Sequence, residues 1–200
     1  MHDLSDGLAR FRRDVFPAKA GLFAHLATTH RPRTLFIGCS DARVVPELIT
    51  QSEPGELFVV RTAGNLVPAY SSDPDGVAAS IEYAVAVLHV NDIVVCGHSA
   101  CGAMTALAEG HDLSAAPVVS GWLRHADAAR ARAAAVPEAS GPGRVAALVR
   151  ANVSAQLQNL ATHPCVARAL AAEGTLTLHG WVFDIATGAV NPVDAAAIAA

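Results

Sequence analysis

Two short segments of the chain combine cysteine and histidine in a way suited to binding a metal ion. One segment contains Cys39, and the other contains His98 and Cys101. Two thiolates and one imidazole suit tetrahedral Zn²⁺, and three protein ligands leave the open fourth position of a catalytic zinc site. Either segment alone is weak evidence, because a lone cysteine is more often a small buried apolar residue. Together they form a complete Cys₂His set, which predicts one Zn²⁺ per chain.

Asp41 and Arg43 lie two residues apart, immediately after the first cysteine. For an isolated Asp-x-Arg sequence, a solvent-exposed ion pair is the ordinary interpretation.

Both segments follow short apolar runs that predict buried parallel strands, at residues 34–38 and 93–96. A further run at 56–60 and a last one at 176–183 predict two more strands, and Gly188 is expected to turn the chain into a short antiparallel partner. Ligands of open α/β sheets lie beyond the carboxyl ends of the strands. We therefore expect Cys39, His98 and Cys101 to meet there if the first and third strands are neighbours.

Helical periodicity occupies most of the intervening sequence. Apolar residues recur at three- and four-residue steps from Leu8 to Leu26, with an interruption at Pro17. Asp75 is a candidate N-cap for the helix that follows it. The predicted helices are 75–88, 100–109, 118–132, 144–160 and a short one after Pro164. Strands that alternate with helices predict an α/β fold with a mostly parallel sheet.

The overall composition argues against several classes of protein, among them nucleic-acid-binding and membrane proteins. With 52% hydrophobic and 16% charged residues the chain is expected to fold around a core, and its net charge of −4 without a basic run argues against nucleic-acid binding. Apolar stretches such as 84–88 are too short to span a bilayer, and residues 1–13 carry no targeting signal that we recognise. Four cysteines do not make a disulfide scaffold. We therefore expect a cytoplasmic protein that does not bind membranes.

As a set, six segments resemble the β-class carbonic anhydrases, in the order in which that family carries them. The resemblance spans residues 8–188, nearly the whole chain. The segments are Cys39–Arg43, Pro54–Arg61, Gly64–Val67, Ile81–Val85, Gly97–Gly102 and His179–Trp181. The resemblance implies a doubly wound, mostly parallel central sheet flanked by helices, with an N-terminal helical arm that grips a second subunit. One domain would then comprise an arm at 1–32, a zinc-binding core at 33–190 and a tail at 191–200, assembled as a homodimer or a higher assembly of dimers.

The resemblance also implies the reaction, the zinc-dependent reversible hydration of CO₂ to bicarbonate and a proton. Zinc-bound hydroxide would attack CO₂, with Cys39, His98 and Cys101 as ligands. Two thiolate ligands make the zinc-bound water less acidic than three histidines would, so we expect activity to rise on the alkaline side. Arg43 would hold Asp41, and Asp41 would accept a hydrogen bond from the hydroxide and orient it.

The substrate pocket implied by the resemblance is small and apolar. Its matching positions are Phe58, Ala63, Tyr83 and Gly102, the last through its backbone N–H. His30 stands where many relatives carry a glutamine that reaches bicarbonate from the partner subunit. We expect His30 to bind bicarbonate in its place, to assist proton transfer or to face solvent, and the sequence leaves these three alternatives open.

One subgroup of the family is inhibited by bicarbonate bound at a separate site built from a tryptophan, an arginine and a tyrosine. The matching residues here are Phe36, Arg61 and Phe183. Since only the arginine is present, we predict no inhibitory site, a structural role for Arg61, and a resting state in which Asp41 is paired with Arg43.

Three other functions remain open at the level of sequence. The same scaffold could hydrolyse another linear cumulene, such as carbonyl sulfide or carbon disulfide. A zinc module without catalysis is less consistent with Asp41 and Arg43, because a structural site has no use for an orienting pair. A thiol-redox role is weaker still, since His98 replaces the first cysteine of a Cys-x-x-Cys motif. Among the other candidates, Cys96 is predicted to lie in the core and His179 to be structural.

Overall fold

The structure is a computed structural model that describes residues 3–73, 75–135, 141–172 and 174–193. The chain divides after Arg31 into two compact units. This division lies one residue before the boundary predicted for the arm. The further division into core and tail stays a prediction, although the last strand runs to Val193, three residues past the predicted limit of the core.

The N-terminal unit is helical, as its periodicity predicts. Its elements are α1 (Leu4–Arg10), a π-helical turn (Phe11–Val15) and α2 (Phe16–Leu26). Pro17 lies in the first turn of α2, where the N–H that proline lacks is not needed for the helical ladder. The rings of Phe11, Phe16 and Phe23 form a small cluster with centroids 5.4–6.1 Å apart.

The second unit contains a five-stranded sheet of order β2-β1-β3-β4-β5. All neighbours are parallel except β4 and β5, which are antiparallel. The strands are β1 (Thr34–Cys39), β2 (Leu57–Thr62), β3 (Asp92–His98), β4 (Thr177–Phe183) and β5 (Val190–Val193). The first and third strands of the chain are therefore neighbours, and the predicted mostly parallel α/β sheet is confirmed.

Seven α-helices lie in the described part of this unit. Asp75 caps α4 as predicted, because its Oδ1 accepts from the N–H groups of Val77 and Ala78 at 2.7 and 2.9 Å. A π-helical turn (Tyr83–Val87) continues α4. The helices are α3 (Pro46–Thr50), α4 (Gly76–Glu82), α5 (Gly102–Glu109), α6 (Pro117–Leu123), α7 (Asp127–Ala134), α8 (Pro142–Ala161) and α9 (Pro164–Ala171). None of the helices in the described ranges is long and apolar enough to cross a membrane.

Two helix predictions need correction. The helix predicted at 100–109 begins at Gly102, because Ala100 has a left-handed φ of 53° and Cys101 is extended. The helix predicted at 118–132 is broken by a 3₁₀ turn at Arg124–Ala126, where the carbonyl of His125 accepts from Gln156 on α8. The short helix α3 was not predicted.

Alternate residues of the buried strands belong to two hydrophobic clusters, one on each face of the sheet. Leu35 and Ile37 lie in the larger cluster with Ile93 and Val95, while Phe36 lies in the smaller one with Val94 and Cys96. This alternation explains why β1 and β3 read as continuous apolar runs, since parallel strands are buried on both faces. Cys96 is a fully buried core residue, as predicted.

Helix α8 packs directly on β3, β4 and β5, and the sheet has glycines where the approach is closest. A Cβ added to Gly180 would lie 3.0 Å from Leu157 Cδ1, from Val153 Cγ1 and from the carbonyl oxygen of Val193. The backbone oxygen cannot move aside without breaking the β4–β5 pairing, so this position has no room for a side chain.

We predict that Gly180→Ala lowers the free energy of unfolding by about 1–3 kcal/mol, because the added methyl group overpacks the contact between α8 and the sheet. Urea titration followed by circular dichroism would measure the change. Gly121→Ala is the matched control: Gly121 lies in α6 with nothing within 4 Å of the added Cβ, so it should raise the same quantity by up to about 1 kcal/mol. Equal stabilities of wild type and Gly180→Ala would contradict the close packing.

Candidate metal centre

The three predicted ligands meet at the carboxyl edge of the sheet. Cys39 is the last residue of β1, His98 is the last residue of β3, and Cys101 precedes the first turn of α5. Their sulfur and ring-nitrogen atoms lie within 4.8 Å of one another. All three residues are buried, with 6%, 0% and 1% of their surface exposed. The predicted convergence of the two segments is confirmed.

The His98 ring is held by a chain of contacts from the loop that follows β4. Its Nδ1 lies 2.9 Å from the carbonyl oxygen of Ser99, which can only accept, so Nδ1 carries the proton. Ser99 itself donates its N–H to Phe183 O and accepts from Ile185 N–H, both at 2.9 Å. The remaining ring nitrogen, Nε2, is buried and has no hydrogen-bond partner among the described residues.

In the neutral ring with its proton on Nδ1, Nε2 offers a lone pair beside two cysteine sulfurs, and this is the donor set that a soft or borderline metal ion requires. Leaving that nitrogen buried without a partner costs free energy, and a metal ion would remove the cost. The residues therefore fit a zinc ion.

The pKa values of Cys39 and Cys101 are shifted in opposite directions. The S–H group of Cys101 donates to Cys39 and lowers the pKa of Cys39 to about 4, despite the opposing effect of burial. Backbone N–H groups of Asp41 and Gly64 also face the Cys39 sulfur and favour its thiolate. The same S–H donation, together with burial, raises the pKa of Cys101. The cluster thus holds one thiolate, and binding of a metal ion would release the proton of the second thiol.

Asp41 and Arg43 form a two-pronged ion pair at the rim of the cluster. Arg43 Nε donates to Oδ1 at 2.9 Å, and Nη2 donates to Oδ2 at 2.7 Å. These bonds, and a third from the Arg43 backbone N–H, hold the pKa of Asp41 well below its usual range. Asp41 Oδ2 lies 3.9 Å from His98 Nε2. An ionised carboxylate therefore stands beside the ligands with both oxygens engaged by Arg43.

Two arginines hold the backbone of the segments that carry the ligands. Arg43 Nη2 also donates to Ala100 O at 3.1 Å, which connects the loop after β1 to the loop between His98 and Cys101. Arg61 donates to the carbonyl oxygens of Cys39, Asp41 and Val44 at 3.1, 2.6 and 2.8 Å. These bonds confirm the predicted structural role of Arg61.

The substrate positions inferred from the resemblance do not all gather at this cluster. Gly102 is the first residue of α5 and directly follows Cys101, and Ala63 directly precedes Gly64, whose N–H faces the Cys39 sulfur. Both therefore lie beside the cluster.

Phe58 and Tyr83 face each other with ring centroids 6.0 Å apart. Phe58 pairs with Leu35, four residues before the carboxyl end of β1 and about 13 Å from it along the strand. The structure therefore does not bring Phe58 to the cluster of its own chain. His30 belongs to the N-terminal unit. For Phe58, Tyr83 and His30, contact with substrate stays a prediction.

Other residues of the site were not found from the sequence. The left-handed backbone at Ala100 is unexpected because this conformation favours glycine. No sequence signal singles out Ser99, although its side chain anchors the loop by accepting from Ile185 N–H. Asn152 and Gln156 could have been found, because two amide residues four positions apart interrupt the apolar face of α8.

Comparison with known proteins gives a consistent result. The carbonic anhydrase family model matches residues 34–190. A carbonic anhydrase of Pseudomonas aeruginosa is 61% identical over 196 residues, which covers 98% of this chain and 89% of the relative. The β-carbonic anhydrase CcaA has a similar structure, with a TM-score of 0.91 and 42% identity over 94% of this chain and 85% of that chain. A tetrameric β-carbonic anhydrase of Sordaria macrospora has a TM-score of 0.81 and 32% identity over 95% and 94% of the two chains.

We predict that Arg43→Lys displaces the Asp41 carboxylate, because one ammonium group cannot form two parallel bonds and also reach Ala100 O. The urea midpoint of unfolding should stay close to that of wild type, since the pair is open to solvent. A crystal structure of the variant would show the displacement.

Arg13→Lys is the matched control, because Arg13 forms the same fork with Asp14, at 2.7 Å for each bond, in the N-terminal unit. It should leave Asp41 in place. An unmoved Asp41 in the Arg43→Lys structure would show that the fork does not position it.

Proposed function

Because the chain belongs to the β-class carbonic anhydrases, we propose that it catalyses the reversible hydration of CO₂ to bicarbonate and a proton with one zinc ion per chain. The observation that carries the proposal is the buried cluster of Cys39, His98 and Cys101. Its ligand atoms lie within 4.8 Å of one another, and one of them, His98 Nε2, is otherwise unpartnered. Bound at this cluster, zinc would supply a hydroxide nucleophile near neutral pH.

In this proposal Asp41 orients the nucleophile. Its carboxylate is ionised and lies beside the ligands, so it can accept a hydrogen bond from the attacking group and fix the direction of its lone pair. Arg43 holds both carboxylate oxygens, which keeps Asp41 as an acceptor and out of the ligand set. Asp41 would thus contact the reacting group, and Arg43 would position Asp41.

In this proposal, a backbone N–H group and small side chains bind CO₂. The backbone N–H of Gly102 is at the first position of α5, where no helical carbonyl is available to accept from it. That N–H can donate to a substrate oxygen as negative charge develops there. Ala63 and Gly64 form a wall without bulk: the exposed Ala63 carries only a methyl group, and a Cβ at Gly64 would lie 3.1 Å from Ala103 Cβ. A small apolar molecule such as CO₂ suits such a wall.

We further propose a homodimer or a higher assembly of dimers. The Sordaria relatives are described as tetrameric. The N-terminal unit exposes large apolar side chains, with Leu4 85% and Leu8 66% exposed, and such side chains favour a partner. We place the enzyme in the cytoplasm, where the four free, buried cysteines would stay reduced.

The proposed reaction is tested by stopped-flow CO₂ hydration at pH 7 to 9 on protein of measured zinc content. Asp41→Asn keeps the size of the side chain but removes the negative charge, so we expect the rate to fall at least about 100-fold while zinc stays bound. Asp112→Asn is the matched control, because Asp112 accepts similar bonds from Ser114 in an exposed loop, and its rate should equal that of wild type.

An Asp41→Asn variant of undiminished rate would contradict the role of the carboxylate. Zinc near one per chain without hydration at any of these pH values would contradict the reaction, and carbonyl sulfide and carbon disulfide would then be the next substrates to assay.

We also predict that bicarbonate bound away from the active site does not inhibit the enzyme. Arg61 is already engaged by three backbone carbonyls, and Phe36 and Phe183 offer neither an indole N–H nor a hydroxyl to bind an anion. Adding bicarbonate at constant ionic strength should therefore lower the rate only as far as product competition at the metal predicts. A sigmoidal rise of rate with pH, or stronger inhibition by bicarbonate, would contradict this.

A further inference from the structure

The segment between β2 and the next α-helix begins with a short 3₁₀ turn at Ala63–Asn65, in which Gly64 has a left-handed φ of 74°, and it is buried from Gly64 to Val67. Buried backbone outside helices and sheets needs hydrogen-bond partners from elsewhere, because unpaired N–H and C=O groups are costly. Side chains of α6 and α8 supply several of them here. The segment also borders the metal centre, since Gly64 N–H faces the sulfur of Cys39.

Both peptide groups that flank Gly64 are held by side-chain donors. Trp122 Nε1 on α6 donates to Ala63 O at 2.9 Å, and Asn152 Nδ2 on α8 donates to Gly64 O at 2.9 Å. In a planar trans peptide the carbonyl and the next N–H point in opposite directions. Holding Ala63 O on Trp122 therefore directs Gly64 N–H the other way, towards Cys39.

Asn152 is itself fixed by a row of amides along α8. Gln156 Nε2 donates to Asn152 Oδ1 at 2.9 Å, and Gln156 Oε1 accepts from Val67 N–H at 2.8 Å. Asn159 Nδ2 donates to Val67 O at 2.8 Å. Positions 152, 156 and 159 share one face of the helix, and Asn152 and Gln156 are fully buried. The row holds both ends of the segment 64–67 against α8.

We propose that Trp122 and Asn152 are positioning residues of the metal centre, because they orient the peptide groups on either side of Gly64 and so keep its N–H on the Cys39 sulfur. The inference rests on the proposed function, since it assumes that Cys39 binds zinc. A hydrogen bond to a thiolate ligand fixes the direction of the sulfur and tunes its electron donation. Without Trp122 Nε1 the Ala63–Gly64 peptide can rotate and this bond is lost.

The test compares metal binding in variants that remove one donor each. Trp122→Phe keeps an aromatic ring, although a smaller one, and removes the indole N–H, and Asn152→Ala removes the second donor. For each variant we would measure the dissociation constant for Zn²⁺ by competition with a chromophoric chelator, and the sulfur-to-metal charge-transfer absorption of the Co²⁺ form. We expect the dissociation constant to rise about tenfold in each variant, and the absorption band to shift.

Two control variants separate positioning from general loss of stability. Trp181→Phe makes the same substitution on β4, and Leu157→Ala opens a cavity at a fully buried position of α8. Both should lower the urea midpoint of unfolding. Because the side chains of Trp181 and Leu157 donate no hydrogen bond to the segment 63–67 in the described part of the chain, both variants should leave the dissociation constant for Zn²⁺ within about twofold of wild type and the Co²⁺ spectrum unchanged.

The outcomes distinguish this inference from the proposed function. Wild-type protein that binds no zinc would contradict both. Wild-type protein that binds zinc, with an unchanged dissociation constant and spectrum in Trp122→Phe, would overturn the inference alone. Equal effects in Leu157→Ala and Asn152→Ala would also overturn it, because the change would then reflect stability. If Asn152→Ala does not fold, Trp122→Phe decides the question, since Trp122 is only half-buried whereas Asn152 is fully buried.

Discussion

The structure depends on the burial of two thiols and one imidazole at one edge of the sheet. Each of these groups loses contact with water and needs a partner in exchange. The S–H group of Cys101 finds the sulfur of Cys39, and His98 Nδ1 finds the carbonyl of Ser99. His98 Nε2 finds none among the described residues. The site thus lacks only an electron-pair acceptor for His98 Nε2, and the described surroundings offer no hydrogen-bond donor in its place.

Strand register brings the three groups to the same level. Gly38 pairs with Cys96, so the residues that follow each strand leave the sheet side by side. Helix α8 can approach β3 there because Gly97 has no side chain: a Cβ would lie 2.9 Å from Val153 Cγ2. This close contact places Asn152, the neighbour of Val153, within reach of the segment after β2. The close contact between α8 and Gly97 therefore helps to place Asn152 where it can donate to Gly64 O.

The sequence predicts the parts of the site that depend on residue type and strand position. Cys39, His98 and Cys101 follow apolar runs whose burial pattern is unambiguous, and Asp41 lies close to Cys39 along the chain. It does not predict contacts that depend on tertiary packing. The resemblance makes Phe58 a pocket residue, and register places it about 13 Å from the strand end of its own chain, so its contact with substrate stays a prediction. Asn152 lies 88 residues from Gly64, and no local pattern connects them.

The side chains that donate hydrogen bonds around the metal centre are of two kinds, charged and neutral. The two arginines hold carbonyl oxygens from the rim, where their charge stays near water, whereas Trp122 and Asn152 use neutral donors against the buried segment. A buried cation would pair with the thiolate and raise the cost of binding a second cation, the metal ion. Neutral donors avoid this competition and still turn peptide N–H groups towards sulfur. Oriented backbone dipoles can therefore stabilise the anionic ligands without reducing the attraction that binds the metal.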